Sequence, residues 1–188
     1  MNEHELIAQL RQGHEPAFRW LVENYRNRVF HTALSIVQDS REAEDVAQET
    51  FIQVFESIGS FREEASLSTW IYRIATRKSL DKLRRQKTRR QLHKLLPWWM
   101  PEEKRSSEEN FYHPGVDAEN KEKAAVLFKA IAGLPEKQRV AFTLIKVQGM
   151  SYEEACAILQ QQVKAVESLI TRAKINLQKQ LETYYRNL

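Results

Sequence analysis

The chain has 188 residues, 42% of them hydrophobic and 29% charged, with a formal net charge of +4. Those values fit a soluble globular protein of one domain or two small ones, exclude a wholly disordered chain, and lean towards a polyanionic partner. The single cysteine, Cys156, leaves no intramolecular disulfide to form, and no apolar run approaches the roughly 18 residues of a membrane span, so a cytoplasmic protein is expected.

Glycine and proline number five each, and apolar residues recur at helical steps with no period-two run, which predicts an all-α chain. A first short helix is predicted from about Glu3 to Gln12, capped by Asn2 and stopped by Gly13. Pro16 suits the first turn of a second helix whose stripe is Phe18, Leu21, Val22, Tyr25, Val29 and Ala33. A third is predicted with Ser40 as its cap and Val46, Ala47, Phe51, Val54, Phe55 and Ile58 inward, before Gly59 ends it. From Asp39 to Glu56 it has six acids against one base, and the helix dipole accounts for part of that acidity in the first turns. A solvated face and a docking face for a basic partner both remain open.

Beyond the Gly59 to Phe61 break, Ser66 or Ser68 can cap a basic helix with Leu67, Trp70, Ile71, Ile74 and Leu83 inward and Arg73, Arg77, Lys78, Arg84 and Arg85 outward. From Arg62 to Arg90 there are ten bases against three acids, interleaved with Trp70 and Tyr72. Arginines hold phosphates while bases stack on aromatic rings, so the pattern points to nucleic acid. Periodicity then fails over 91–120, a Pro- and Ser-bearing linker whose Leu95, Leu96, Trp98, Trp99 and Met100 are expected to dock, either back on a domain of this chain or into a partner's groove.

A second set of helices follows. One carries Ala124, Val126, Leu127 and Ile131 and breaks at Gly133; Pro135 restarts it through Val140, Leu144 and Val147 to Gly149. Ser151 and Glu154 form a capping box for a short helix to Leu159. After Gln160 to Gln162 comes a long helix with Val163, Val166, Ile170, Ala173, Leu177 and Leu181 as its core stripe. Short helix, tight connection and longer helix make a helix-turn-helix arrangement. Its outward face would hold Lys164, Glu167, Ser168, Thr171, Arg172 and Lys174, which can meet phosphates and base edges, although the same residues suit the plain surface of a helical bundle. No catalytic constellation is visible: the five histidines lie apart, no acid or Cys156 stands at metal-ligand spacing from them, and no glycine-rich phosphate loop occurs, so neither enzyme activity, metal nor cofactor is expected.

Four segments, AEDVAQETFIQVF at 43–55, STWIYRIATRKSLDKLRR at 68–85, LPEKQRVAF at 134–142 and SYEEACAIL at 151–159, give the chain a resemblance to the extracytoplasmic-function (group IV) sigma factors of bacterial RNA polymerase. The resemblance implies two helical domains joined by a flexible linker: a region 2-like bundle over 1–90 and a region 4-like helix-turn-helix domain over 121–188. It implies core RNA polymerase docking at Glu44, Asp45, Gln48, Glu49 and Phe51. It implies that the loop from Gly59 to Ser66 (Gly59, Ser60, Phe61 and Arg62 among it) holds a flipped base of the minus-ten element, with Trp70, Tyr72, Arg73, Thr76 and Arg77 lining the melted strand. The minus-thirty-five element would meet Lys164, Glu167, Ser168, Thr171, Arg172 and Lys174, and an anti-sigma factor is implied as regulator. The family has a glycine where this chain has Gln160, a threonine in place of Ala165 and bases near Glu167 and Leu169, so the turn at Gln160 is expected to be built differently and the minus-thirty-five contacts to differ.

Overall fold

In a computed structural model of the chain, which describes residues 2–95 and 118–186, the described residues form helices and connecting turns without a strand. The helices are α1 (Glu3–Arg11), α2 (Glu15–Val37), α3 (Ser40–Ser57), α4 (Leu67–Leu95), α5 (Ala118–Ala132), α6 (Glu136–Phe142), α7 (Tyr152–Leu159) and α8 (Val163–Arg186). A 3-10 turn, Ile58–Ser60, follows α3, and a π-helical turn, Thr143–Val147, follows α6. No helix among the described residues is long and apolar enough to cross a membrane.

Local chemistry sets most of the boundaries. Asn2 Oδ1 accepts from the backbone of His4 to start α1, and Gly13, at φ +72, turns the chain out of it. At α3 the cap is Asp39 rather than Ser40: its carboxylate accepts from the backbone N–H of Glu42 at 2.9 Å, so Ser40 becomes the first helical residue. Ser66 Oγ accepts from the backbone N–H of Thr69 at 3.2 Å and opens α4. The Ser151–Glu154 box is formed in both directions, at 2.8 and 3.1 Å. Helix α4 continues through Leu95, past Arg90, into the stretch expected to be linker, and α5 begins at Ala118. Trp98, Trp99 and Met100 lie outside the described residues.

The first four helices enclose a core of Leu6, Ile7, Leu10, Leu21, Val29, Phe51, Val54, Leu67 and Ile71, each large side chain removed from water contributing about 1.5–3 kcal/mol. Helices α5 and α8 enclose a smaller one around Ile131, Leu134, Ala173 and Leu177. A third cluster joins the two groups. It packs Ile36 of α2 and Tyr72 of α4 against Val140, Ala141, Leu144, Ile145, Ala155, Ile158, Val166 and Ile170. Above it Arg139 Nη1 donates to the carbonyl oxygen of Ile36 at 2.7 Å. The second group therefore covers one flank of α4.

Candidate nucleic-acid and protein interface

Helix α3 presents a continuous outward stripe. Glu44, Asp45 and Gln48 are exposed and Glu49 half-buried. Four residues on from Gln48 the stripe continues as Ile52, 57% exposed, and three further as Phe55, 58% exposed. Phe55 was expected inward. It sits one position round from buried Val54, and its ring instead meets Phe18 edge-on at the surface, centroids 5.0 Å apart at 87°. Phe51, grouped with the acids by sequence, is buried in the first core and supports the stripe from beneath. The step from Asp45 through Gln48 to Ile52 and Phe55 is helical spacing, and that is the signal by which Ile52 and Phe55 could have been found.

The acids are anchored from α4. Lys82 Nζ pairs with Glu42 and with Asp45 at 3.2 Å, and Lys78 Nζ lies 3.6 Å from Glu49. Between α3 and α4 runs a polar groove of about 420 Å³ lined by Glu49, Gln53, Trp70, Arg77, Lys78 and Arg85 among others. This groove brings an aromatic face and several cations together beside the acidic stripe.

The residues expected to handle the melted strand divide between two sides of α4. Gly59, Ser60 and Arg62 are exposed, Ser60 lining the groove, with Arg77 exposed and Trp70 half-buried along it. Phe61 is buried and stacks on Trp70 with centroids 4.9 Å apart at 32°, so it supports the ring rather than offering a free face. Arg73 is half-buried, with an Nε that has no hydrogen-bond partner. Tyr72 and Thr76 are each 3% exposed, and Tyr72 belongs to the core shared with the second group. Burial pushes the Tyr72 phenol above its ordinary value, while the nearby Arg28 guanidinium pulls it back in part. The structure brings Ser60, Trp70 and Arg77 together, leaves Gly59 and Arg62 exposed on the adjoining loop, and covers Tyr72 and Thr76.

Helices α7 and α8 meet at Gln160, which takes the left-handed conformation at φ 53. The turn expected to differ for want of a glycine is thus made with a left-handed residue all the same, at a cost on the order of 1–2 kcal/mol for a residue with a Cβ. From Val163 onward Lys164, Glu167, Thr171, Arg172 and Lys174 are exposed and Ser168 half-buried. At about 100° per residue all six fall within roughly half of the helix circumference. Thr171 spends its hydroxyl proton on the carbonyl of Glu167, at 2.9 Å, leaving its oxygen as an acceptor towards solvent. Leu169 packs on the shared core, and Val163, expected in the core stripe, is 45% exposed.

Comparison with known proteins bears on the family and the fold. Residues 21–89 match Sigma-70 region 2 and residues 125–177 match Sigma-70, region 4. The chain is similar to the RNA polymerase sigma-H factor of Pseudomonas aeruginosa, 30% identical over 195 residues that cover 98% of this chain and 96% of that one. It is similar to the ECF RNA polymerase sigma-E factor of Escherichia coli K12, 31% identical over 183 residues, 93% and 91% of the two chains. In fold it is similar to CnrH in complex with the cytosolic domain of CnrY, with TM-score 0.71, 24% identity and coverage of 96% and 97%. It is likewise similar to the sigma factor RpoE in complex with the anti-sigma factor NepR from Bartonella quintana, with TM-score 0.69, 24% identity and coverage of 88% and 96%.

Proposed function

The chain belongs to the extracytoplasmic-function sigma factors of the sigma-70 family, and from that premise we propose how its surfaces divide the work of a transcription initiation factor. Such a protein is not an enzyme: it binds core RNA polymerase and promoter DNA and directs initiation. Residues 1–90 form the unit for core polymerase and the minus-ten element, and residues 121–188 the unit for the minus-thirty-five element. The protein works in the cytoplasm with its polymerase. Its regulator is an anti-sigma factor, a reading supported by the fold it shares with sigma factors solved in complex with inhibitors of that kind.

The observation that carries the reading is the outward stripe of α3 beside the α3–α4 groove. Glu44, Asp45 and Glu49 offer charge and Gln48 a hydrogen-bonding amide to a basic helical surface of polymerase, and Ile52 and Phe55 offer that surface an apolar end. In the neighbouring groove Trp70 supplies a ring and Arg77 and Arg85 supply phosphate contacts for separated DNA. Extruding a base costs a few kcal/mol, and stacking on an aromatic ring returns about 1–3 kcal/mol per base, so melting at this site is affordable. The exposed loop residues Gly59, Ser60 and Arg62 stand where a base turned out of the stack would be read. On α8 the face from Lys164 to Lys174 enters the major groove, with Lys164, Arg172 and Lys174 on phosphates and Glu167, Ser168 and Thr171 towards base edges.

The test is run-off transcription from a promoter library by core polymerase, with and without the protein, using the wild type and the Asp45→Lys, Glu49→Lys double variant. Wild type should select a promoter class, and the variant should fail to do so because it no longer binds polymerase, while keeping its helical circular dichroism. Polymerase affinity within twofold of wild type for the charge-reversed protein would refute the assignment of α3.

A further inference from the structure

Three side chains of α1 converge on the loop between α3 and α4, from a helix that lies before the residues matched to region 2. Within that loop Glu63 has φ +59, in the left-handed region that a residue with a Cβ keeps only when its surroundings hold it there. Its carboxylate meets Arg11 Nη1 at 2.9 Å through Oε1 and His4 Nδ1 at 2.9 Å through Oε2. The same guanidinium donates from Nη2 to the carbonyl oxygen of Phe61 at 2.6 Å. On the loop's other flank Glu3 Oε1 accepts from the backbone N–H of Leu67, the first residue of α4, at 3.1 Å. Backbone hydrogen bonds stand at the loop's two ends, Phe61 N–H donating to the Ile58 carbonyl and Trp70 N–H to the Ser66 carbonyl.

We propose that α1 is a clasp that sets the shape of the minus-ten reading loop, with Arg11 as a positioning residue and Glu63 as its anchor. The proposal rests on the reading of residues 59–66 as the loop that holds a flipped base. Arginine suits the task because its planar fork offers two nitrogens in fixed relation, one for a carboxylate and one for a carbonyl, which a lysine cannot reproduce. Holding the Phe61 carbonyl fixes the backbone between exposed Ser60 and Arg62 and keeps the Phe61 ring against Trp70. Ion pairs at this degree of exposure add little to global stability, so the clasp acts on the order of the loop rather than on whether the bundle folds.

The experiment measures run-off transcription by the full chain with core polymerase from one selected promoter and its single-base variants across the minus-ten element. The proteins compared are wild type, Arg11→Ala, Arg11→Lys, Glu63→Ala, the Arg11→Ala, Glu63→Ala double variant, and Ser60→Ala as a change within the loop. Arg11→Ala should lower discrimination at one minus-ten position roughly tenfold, in the range a single base contact commands, with polymerase affinity and melting temperature unchanged. Arg11→Lys should not restore it, and the double variant should lose no more than Arg11→Ala alone, since both changes open one contact. Discrimination lost in Ser60→Ala but kept in Arg11→Ala would overturn the clasp and leave the loop reading intact. Discrimination kept in both would overturn the loop reading and the clasp with it. Output lowered equally on every promoter would show that Arg11 serves the fold alone and would also overturn the proposal.

Discussion

Removing the side chain of Arg139 should release the second helical group from the first. The guanidinium is half-buried, donates to the Ile36 carbonyl at 2.7 Å and to the Leu134 carbonyl at 3.3 Å, and leaves a buried Nε without a partner. Ile36 lies in the last turn of α2, where unsatisfied carbonyls favour a cation. Burial nonetheless lowers the pKa of Arg139, with Glu136 opposing, so the charge is held at some desolvation cost. Hydrogen bonds to charged groups contribute about 1.5–3 kcal/mol, and setting the relieved desolvation against that leaves about 1–2 kcal/mol for the arginine. A loss of that size changes a two-state ratio by about 5–30-fold. Tyr72, 3% exposed in the core shared by the two groups, reports the change. Its ring is closed to a water-borne reagent while the groups are docked. Nitration of Tyr72, read by mass spectrometry, should therefore run about 5–30 times faster in Arg139→Ala than in wild type, at equal helical circular dichroism. An unchanged rate in a folded variant would refute the view that Arg139 holds the groups together. Tyr72 lies in the same core, so any use of its ring on DNA requires this opening first.

Other outcomes follow from single observations. Ile52→Ala with Phe55→Ala should weaken polymerase binding by about 1–3 kcal/mol, the scale of interface anchors, and barely change thermal stability, because both side chains are more than half exposed; competition for core polymerase against wild type measures it, and equal affinity would remove them from the interface. Promoter binding should weaken steeply with salt, and Lys164→Ala should reduce the slope of the log–log plot by about one while weakening all promoters alike, if Lys164 holds a phosphate. The Tyr72 phenol has a folded pKa raised above the ordinary value of about 10, so the stability it contributes is complete below about pH 10 and is lost as pH rises through the folded value. Tyr72→Phe should flatten the alkaline fall in melting temperature above about pH 10. The fall should not vanish, because Tyr25 is raised by burial in the same sense.

Much of this architecture was legible because local chemistry and apolar spacing agreed. Asn2, Gly13, Ser66 and the Ser151–Glu154 box all stand at the ends that their side chains or backbones favour. Where sequence and structure part, a tertiary choice overrode a local one. Asp39 and Ser40 are both good caps, and which of them starts α3 depends on where α2 ends, at a left-handed Gln38. Phe55 fits the apolar stripe of α3 on a wide reading, yet while Val46, Ala47, Phe51, Val54 and Ile58 reach a core, Phe55 finds Phe18 at the rim. The connection after α7 takes the left-handed geometry expected of glycine with Gln160 in its place, so residue type there is a weaker guide than the demand of α8 for its angle of entry.

Helix α4 shows why the candidate site was only half legible. Its apolar residues serve two cores, Leu67, Ile71 and Ala75 facing the first helices and Tyr72, Leu80 and Leu83 facing elements of both groups. Spacing identifies a face as apolar without naming what covers it, and Tyr72, beside arginines and a tryptophan, read as a stacking ring for DNA. The structure gives that ring a protein partner, with Val140, Leu144 and Ile158 in its cluster and Arg28 beside its hydroxyl. Trp70 and Arg77 share a groove that the second group leaves open. Contacts through Trp70 and Arg77 are thus available while the groups are docked, whereas contacts through Tyr72 wait on their separation. DNA that engages Tyr72 must supply the free energy that holds Arg139 on Ile36, so promoter strands should loosen the docked form in proportion to how far they occupy that ring.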